Sequence, residues 1–319
     1  MALALGIDVG GTKVAAGVVD EDGTILARVR CPTPSASPDD VEHTIADVVT
    51  ELRKDHDVSL VGIGAAGYID AEGSTVLFAP NLAWRHEPLR KEVSALIGLP
   101  VTVENDANAM AWGEYRFGAG AGEDNLVCVT VGTGIGGGIV LNGKLFRGRH
   151  GIAAEFGHTQ VVPDGRRCGC GLRGCWEQYC SGRALLHEAR EIADVDKQFG
   201  ARLLELGGGR PEGIHAEHVT QAAREGDHAA LACFEEIGRS LGQGLADMCA
   251  VLDPGRIVVG GGVADAGDLL LDPARAVFVT QLTGSGHRPV PEIVLAALGN
   301  DAGLVGAADL ARVRHAGGA

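Results

Sequence analysis

The 319-residue sequence has no excess of positive charge: 27 Lys and Arg stand against 42 Asp and Glu, a formal net charge of −15. An acidic chain repels phosphate backbones and anionic lipids, so binding nucleic acid or membrane through a broad basic face is disfavoured. It also lacks an uninterrupted apolar run of about 18 residues, so no membrane span is expected. The opening Met1–Asp8 has no positive n-region and meets an acid at its eighth residue. No secretory signal is therefore expected, and the chain reads as cytoplasmic. Nor is there the pattern of a disulfide framework. Of eight cysteines, Cys168, Cys170 and Cys175 fall together, while Cys31, Cys128, Cys180, Cys233 and Cys249 are scattered, most among apolar neighbours. Such placement suits small buried thiols.

Glycine is abundant, at 49 residues, about twice the usual ~7% share. It follows no collagen period and no low-complexity tract. Its clusters fall between apolar runs, which suggests tight turns that hold backbone against a ligand. A hydrophobic share of 45% with 22% charged residues excludes a disordered chain, and the length is that of about two domains.

The apolar runs Ala2–Val9, Val14–Val19 and Thr24–Val29 are separated by turns and predict a strand meander. Ser37-Pro38-Asp39-Asp40 predicts a helix start, followed by Val41, Ile45, Val48, Val49 and Leu52 at helical spacing. Leu60–Ala65 and Val101–Val103 read as strands, the second ending at Glu104-Asn105-Asp106 before a helix over 107–115. From Leu126 the opening pattern returns at an offset of about 122 residues: strand, Gly132–Gly138 turn, strand Ile139–Leu141, Asn142-Gly143 hairpin and strand Lys144–Phe146. That echo predicts two related α/β halves. Leu231 to Leu252 defines a long helix with Gly238 and Gly242 on one face, and Asn300-Asp301 predicts the cap of a last helix over 303–313.

Five motifs could carry chemistry. Gly10-Gly11-Thr12-Lys13 lacks Walker spacing, yet its free backbone amides and the Thr12 hydroxyl suit an anion. Asp8 ends the preceding strand, where an unpaired charge is costly; a nearby Mg²⁺ with its waters would compensate it, and a satisfied Asp in a plain hairpin is the alternative. Gly132–Gly138 is economically explained as a second phosphate cradle that also uses Thr133 and Gly134, whereas Gly260-Gly261-Gly262 is equally explained by a simple αL turn. Asn105 and Asp106 stand where ligands lie in open α/β sheets; either one caps the helix, or Asp106 is a general base beside an orienting amide. Cys168, Cys170 and Cys175 with one imidazole make a Cys₃His zinc site, for which His158 is the natural fourth ligand and His150 and Cys180 are rivals; a redox pair is the alternative.

On Asp8–Lys13, Glu104–Asn108, Gly132–Gly138, Glu155–His158, Cys168–Glu177 and Tyr179–Leu185, the sequence resembles the ROK family of bacterial sugar kinases and repressors, and within it the glucokinases. The match runs through essentially the whole chain in the family's order. The resemblance implies an actin-like, hexokinase-type (ribonuclease H-like) α/β fold of two domains with ATP in the interdomain cleft. It places a small α/β domain at 1–110, rejoined by a C-terminal helix at about 300–319, and a large domain with the zinc site at 111–299. It implies phosphorylation of glucose to glucose 6-phosphate with ATP and Mg²⁺, Asp106 taking the proton. Asp8, Gly10, Gly11, Thr12, Lys13, Thr133 and Gly134 would serve the phosphates, with Gly260, Gly261 and Gly262 near the adenosine. Gly67, Asn81, Asn105, Asp106, Glu155, His158 and Glu177 would line the sugar, and structural Zn²⁺ would sit on His158, Cys168, Cys170 and Cys175. A homo-oligomer of two or four chains is implied. Kinases for N-acetylmannosamine, N-acetylglucosamine or fructose are the alternatives, and a sugar-sensing regulator is the less favoured one. For a regulator, a chain that starts on its first strand offers no room for a helix-turn-helix.

Overall fold

The structure, a computed structural model, describes residues 3–34 and 36–317. The first apolar runs form β1 (Leu3–Val9), β2 (Lys13–Val19) and β3 (Ile25–Pro32), joined as two antiparallel hairpins. Ser37 caps α1 (Pro38–Leu52) by accepting the Asp40 amide at 3.3 Å, and Pro38 fills the first helical position. The helix buries Val41, Ile45, Val48, Val49 and Leu52 along one face. Next come β4 (Val58–Ala65), then a small antiparallel sheet of β5 (Tyr68–Ile69), β6 (Val76–Phe78) and β7 (Arg85–Glu87). After α2 (Leu89–Ile97), β8 (Val101–Asn105) runs directly into α3 (Asp106–Phe117).

The first large sheet has the order β3-β2-β1-β4-β8, with β4 and β8 parallel to β1. Its register pairs Asp8 with Gly64 and Gly64 with Glu104, so the C-terminal ends of β1, β4 and β8 finish abreast. Leu5, Ile7, Val61, Ile63 and Val103 are fully buried beneath them. Each such side chain contributes about 1.5–3 kcal/mol of burial.

The second large sheet is built from β9 (Leu126–Val131), β10 (Ile135–Leu141), β11 (Lys144–Leu145), β12 (Arg256–Gly260) and β13 (Glu292–Leu295). Its order, β11-β10-β9-β12-β13, repeats that of the first sheet, so the echo in the sequence is an echo of topology. Asn142 and Gly143 both have positive φ, 50° and 71°, as a two-residue hairpin of this kind requires. The remaining helices are α4 (Glu177–Cys180), α5 (Gly182–Val195), α6 (Ala201–Leu206), α7 (Ala216–Arg224), α8 (His228–Leu252), α9 (Asp268–Gln281) and α10 (Ala302–His315). None is long and apolar enough to cross a membrane.

The chain gathers into two compact units: the described residues of Met1–Cys128, Gly137–Ala154 and Ala296–Ala319, and those of Val129–Gly136 and Glu155–Leu295. Residue 110, where the sequence reading divides the chain, lies inside α3 in the first unit, and α10 belongs to that unit too.

Three readings of the sequence are corrected. Gly136, Gly137 and Gly138 belong to strand β10, not to the turn, which is confined to Gly132–Gly134. A Cβ at Gly138 would overlap Ala111 of α3, so that glycine permits helix-on-strand packing. Much of the glycine excess is used in the same way. Side chains at Gly6 and Gly62 would overlap the Leu304 and Ala307 carbonyls of α10, and one at Gly306 would overlap the Ala109 carbonyl of α3. Finally, Asp301 makes no side-chain cap on α10; a short 3₁₀ turn, Gly299–Asp301, leads in instead. Its carboxylate is held by both terminal nitrogens of Arg28, each at 2.7 Å. Gly238 and Gly242 do what their spacing predicts: α9 packs so close that a Cβ on either would meet Leu270, Pro273 or Ala274.

Candidate active site

In the first unit the polar residues collect where β1 and β8 end. Gly10 closes the β1–β2 turn by donating to the Lys13 carbonyl at 3.0 Å. Thr33, absent from the sequence reading, braces the turn: its Oγ1 donates to the Gly10 carbonyl at 2.8 Å and its amide to that of Thr12 at 3.1 Å. Thr12 and Lys13 are exposed. Asn81 lies over Gly11, 2.8 Å from where a Cβ would stand, so only glycine fits there.

Asn105 does cap α3, and it does more. Its Oδ1 accepts the Asn108 amide at 3.0 Å, while its Nδ2 donates to the Gly67 carbonyl and to Asp106 Oδ1, both at 3.1 Å. One amide thus fixes the helix start, the Gly67 loop and the carboxyl of Asp106. Behind it, buried Glu104 accepts the Asn105 amide and Asn108 Nδ2, both at 3.0 Å, and pairs with Arg147 Nε at 2.6 Å. A buried carboxylate without that guanidinium would be strongly destabilising. Arg147 sits 43 residues away in sequence, beyond any local motif.

Asp106 is half-buried, and its carboxyl is pushed up to about 6 by burial and then by the charge of Asp8. Hydrogen bonds from the Ala107 amide and Asn105 offset only part of this. Burial also pushes Asp8 up, against the opposing charges of Lys13 and Arg30. Two carboxyls that hinder one another's ionisation form an arrangement suited to holding a cation or a proton in transit.

In the second unit the Gly132–Gly134 turn is stitched to α5 and to the end of β12. The Gly182 amide donates to the Gly132 carbonyl at 2.8 Å, Arg183 Nε to that of Thr133 at 3.0 Å, and the Val263 amide to that of Val131 at 2.9 Å. Gly261, at φ 90°, presses against the Val131 backbone. Around Gly132, Thr133 and Gly262 opens a cavity of about 940 Å³, walled also by α5, α7 and the 263–266 turn. That volume suits a nucleoside with its phosphates. Glu217, Thr220, Gln221 and Arg224 of α7 line it, and nothing in their spacing marks them in the sequence.

The same unit gathers His158, Cys168, Cys170 and Cys175, whose ligand atoms all lie within 4.8 Å of one another. Cys170 Sγ stands 3.6 Å from Cys175 Sγ, and Cys168 Sγ 3.6 Å from His158 Nδ1. Tetrahedral zinc with Zn–S of about 2.3 Å and Zn–N of about 2.0–2.1 Å needs about 3.8 and about 3.6 Å respectively. His150 and Cys180 are not in the group; Cys180 is buried against the Trp176 carbonyl. Buried Glu177 accepts from Cys168 Sγ at 3.1 Å through Oε1, while its Oε2 lies against Gly134. It therefore joins the thiol cluster to the glycine turn. Glu155 is exposed and opens the 3₁₀ turn Phe156–His158.

Asp8, Gly10, Gly11, Thr12, Lys13, Gly67, Asn81, Asn105 and Asp106 thus come together in the first unit. Thr133, Gly134, Glu177, Gly260, Gly261, Gly262 and the thiol cluster belong to the second, with Glu155.

Against known proteins, residues 4–314 match the model of the family described as ROK. Over 98% of both chains, the sequence is 53% identical to the glucokinase of Streptomyces coelicolor. It is 39% identical to that of Thermotoga maritima, again over 98% of each. A crystal structure of a ROK family glucokinase from Streptomyces griseus, in complex with glucose and AMPPNP, is 54% identical and superposes with a TM-score of 0.90 over 98% of this chain and 99% of that one.

Proposed function

The chain belongs to the ROK family, with that family's actin-like, hexokinase-type fold, and on that premise we propose that it transfers the terminal phosphoryl group of ATP to glucose, giving glucose 6-phosphate. The observation that carries the mechanism is Asp106, poised between β8 and α3 beside Asp8 with its carboxyl raised to about 6. As general base it takes the proton of the attacking sugar hydroxyl; a raised carboxyl is the stronger base and is still ionised at neutral pH. Phosphoryl transfer passes through a loose transition state, so positioning and charge neutralisation dominate over base strength. Asn105 aims the base, its amide hydrogen bond fixing Asp106 Oδ1. Asn81, Gly67, Glu155, His158 and Glu177 supply the polar contacts by which ring hydroxyls are read, and an epimer leaves such groups unpaired.

Gly10–Thr12 and Gly132–Gly134 offer backbone amides to the phosphates, and the cavity beside Gly262 takes the nucleoside. Magnesium brought in with the nucleotide would neutralise phosphate charge, with Asp8 as its carboxylate. The donor set of His158, Cys168, Cys170 and Cys175 fits a structural zinc, all four positions being filled by protein. With Nδ1 turned to the thiols, His158 keeps Nε2 for the sugar. The homo-oligomer of two or four chains is checked by light scattering.

The test is a coupled assay of ADP release against glucose, fructose, mannose and the N-acetylhexosamines. Glucose should give the highest kcat/KM. Absence of any hexose-dependent ADP release overturns the reading.

A further inference from the structure

We propose that Arg183 grips the phosphate chain of the nucleotide beside the Gly132–Gly134 turn; the proposal rests on the ATP-dependent reading above. Arg183 is the second residue of α5, whose start is fixed by Ser181 Oγ accepting the Ala184 amide and by the Gly182–Gly132 bond. Its Nε alone is engaged, on the Thr133 carbonyl at 3.0 Å. Among the described residues, its two terminal amino groups have neither a hydrogen-bond nor an ion-pair partner. Nη2 lies 3.8 Å from the place a Cβ on Gly134 would take, so the guanidinium runs along the turn.

The charges around the cavity single this residue out. Its wall carries two cations, Arg183 and Arg224, and three acids, Glu217, Glu225 and Asp265. Arg224 is bound to the Asp265 carbonyl at 3.1 Å, and Glu225 is paired with Arg202. Arg183 is left as the cation seated on the Gly132–Gly134 turn, in a chain of net charge −15. A planar guanidinium anchored by Nε presents its terminal N–H groups as a fork, which matches two oxygens of a phosphate. A bare nucleoside offers it nothing comparable. The expected ligand is therefore a nucleoside di- or triphosphate, discriminated from its nucleoside by this side chain.

Titration calorimetry of the full chain with ADP and with adenosine tests this. Arg183→Ala should weaken ADP about 10- to 100-fold and leave adenosine within about twofold. Arg183→Lys should fall between, keeping the charge without the fork. In turnover, the KM for ATP should rise while that for glucose holds. An equal loss for adenosine and ADP would mean that Arg183 merely props the turn, and undiminished ADP binding would mean it touches no phosphate; either result overturns the proposal. Wild-type hexose turnover is measured alongside, so selective ADP loss without hexose phosphorylation defeats the kinase reading alone.

Discussion

Asp8 acts on Asp106 through its charge: Asp8 lies near the C-terminal end of β1, Asp106 opens α3 directly after β8, and the two carboxyls resist joint ionisation. As the proposed base, Asp106 must be ionised to accept a proton, so its raised value should move the acid limb of activity upward. The log of kcat/KM should fall with unit slope below about pH 6, where an ordinary Asp would hold to about 4. Asp8→Asn removes the like charge, and the limb of its residual activity should shift to lower pH. Asp106→Asn should bind glucose normally while losing about 10²- to 10⁴-fold in kcat. Pre-steady-state and binding measurements separate the two; near-normal turnover would unseat the assigned base.

Glu42 gives a second pH effect, this time on stability. It is buried on α1, and its carboxyl is pushed up to about 7 by burial first, then by Glu87, Asp39 and Glu92. The folded chain therefore holds a proton that the unfolded chain releases near the ordinary Glu range. Its contribution is fullest below about 4.5 and is lost as pH rises towards 7, after which it levels off. Glu42→Gln should raise Tm at pH 8 and flatten Tm between pH 5 and 8, the gain being at most about 3 kcal/mol. Scanning calorimetry across that range checks it; parallel curves for both proteins would refute it.

Cys175→Ser removes one ligand of a four-ligand site. Zinc content should drop from one per chain towards zero by elemental analysis, and glucose KM should rise because His158 is no longer fixed. Full metal content in the variant would show the ligand set to be wrong.

Gly306→Ala opposes two effects. Alanine favours a helix by about 1 kcal/mol over glycine, but here its Cβ would overlap the Ala109 carbonyl. Overpacking costs about 1–3 kcal/mol and wins, so thermal unfolding should move down by several degrees. A raised Tm would mean that α10 and α3 are less closely packed than described.

The thiol cluster and its histidine were legible in the sequence because four ligands fall within 18 residues and chemistry restricts what they can do. The repeated strand order was legible because an apolar run broken by glycine recurs. The place of Asp106 at the junction between strand and helix was legible too, because the apolar run stops at polar residues there. Thr33, Arg147 and the α7 face were not, since each acts across the fold on a residue that sequence leaves distant. Glycine misled for a related reason: a residue chosen for the absence of a Cβ looks the same in a turn as beneath a packed helix. Only tertiary neighbours tell Gly132 from Gly138.

The helix that lies on β1 and β4 comes from residues 302–315, far along the chain from the strands it covers. On the ribosome, the face of the sheet bearing Gly6 and Gly62 stays wet until residues 302–315 emerge, so β1 and β4 are made long before the helix that covers them. Residues 155–295 are contiguous and need no such wait. Translation arrested before α10 would release a polypeptide whose later half can condense while its earlier half offers chaperones an uncovered apolar surface.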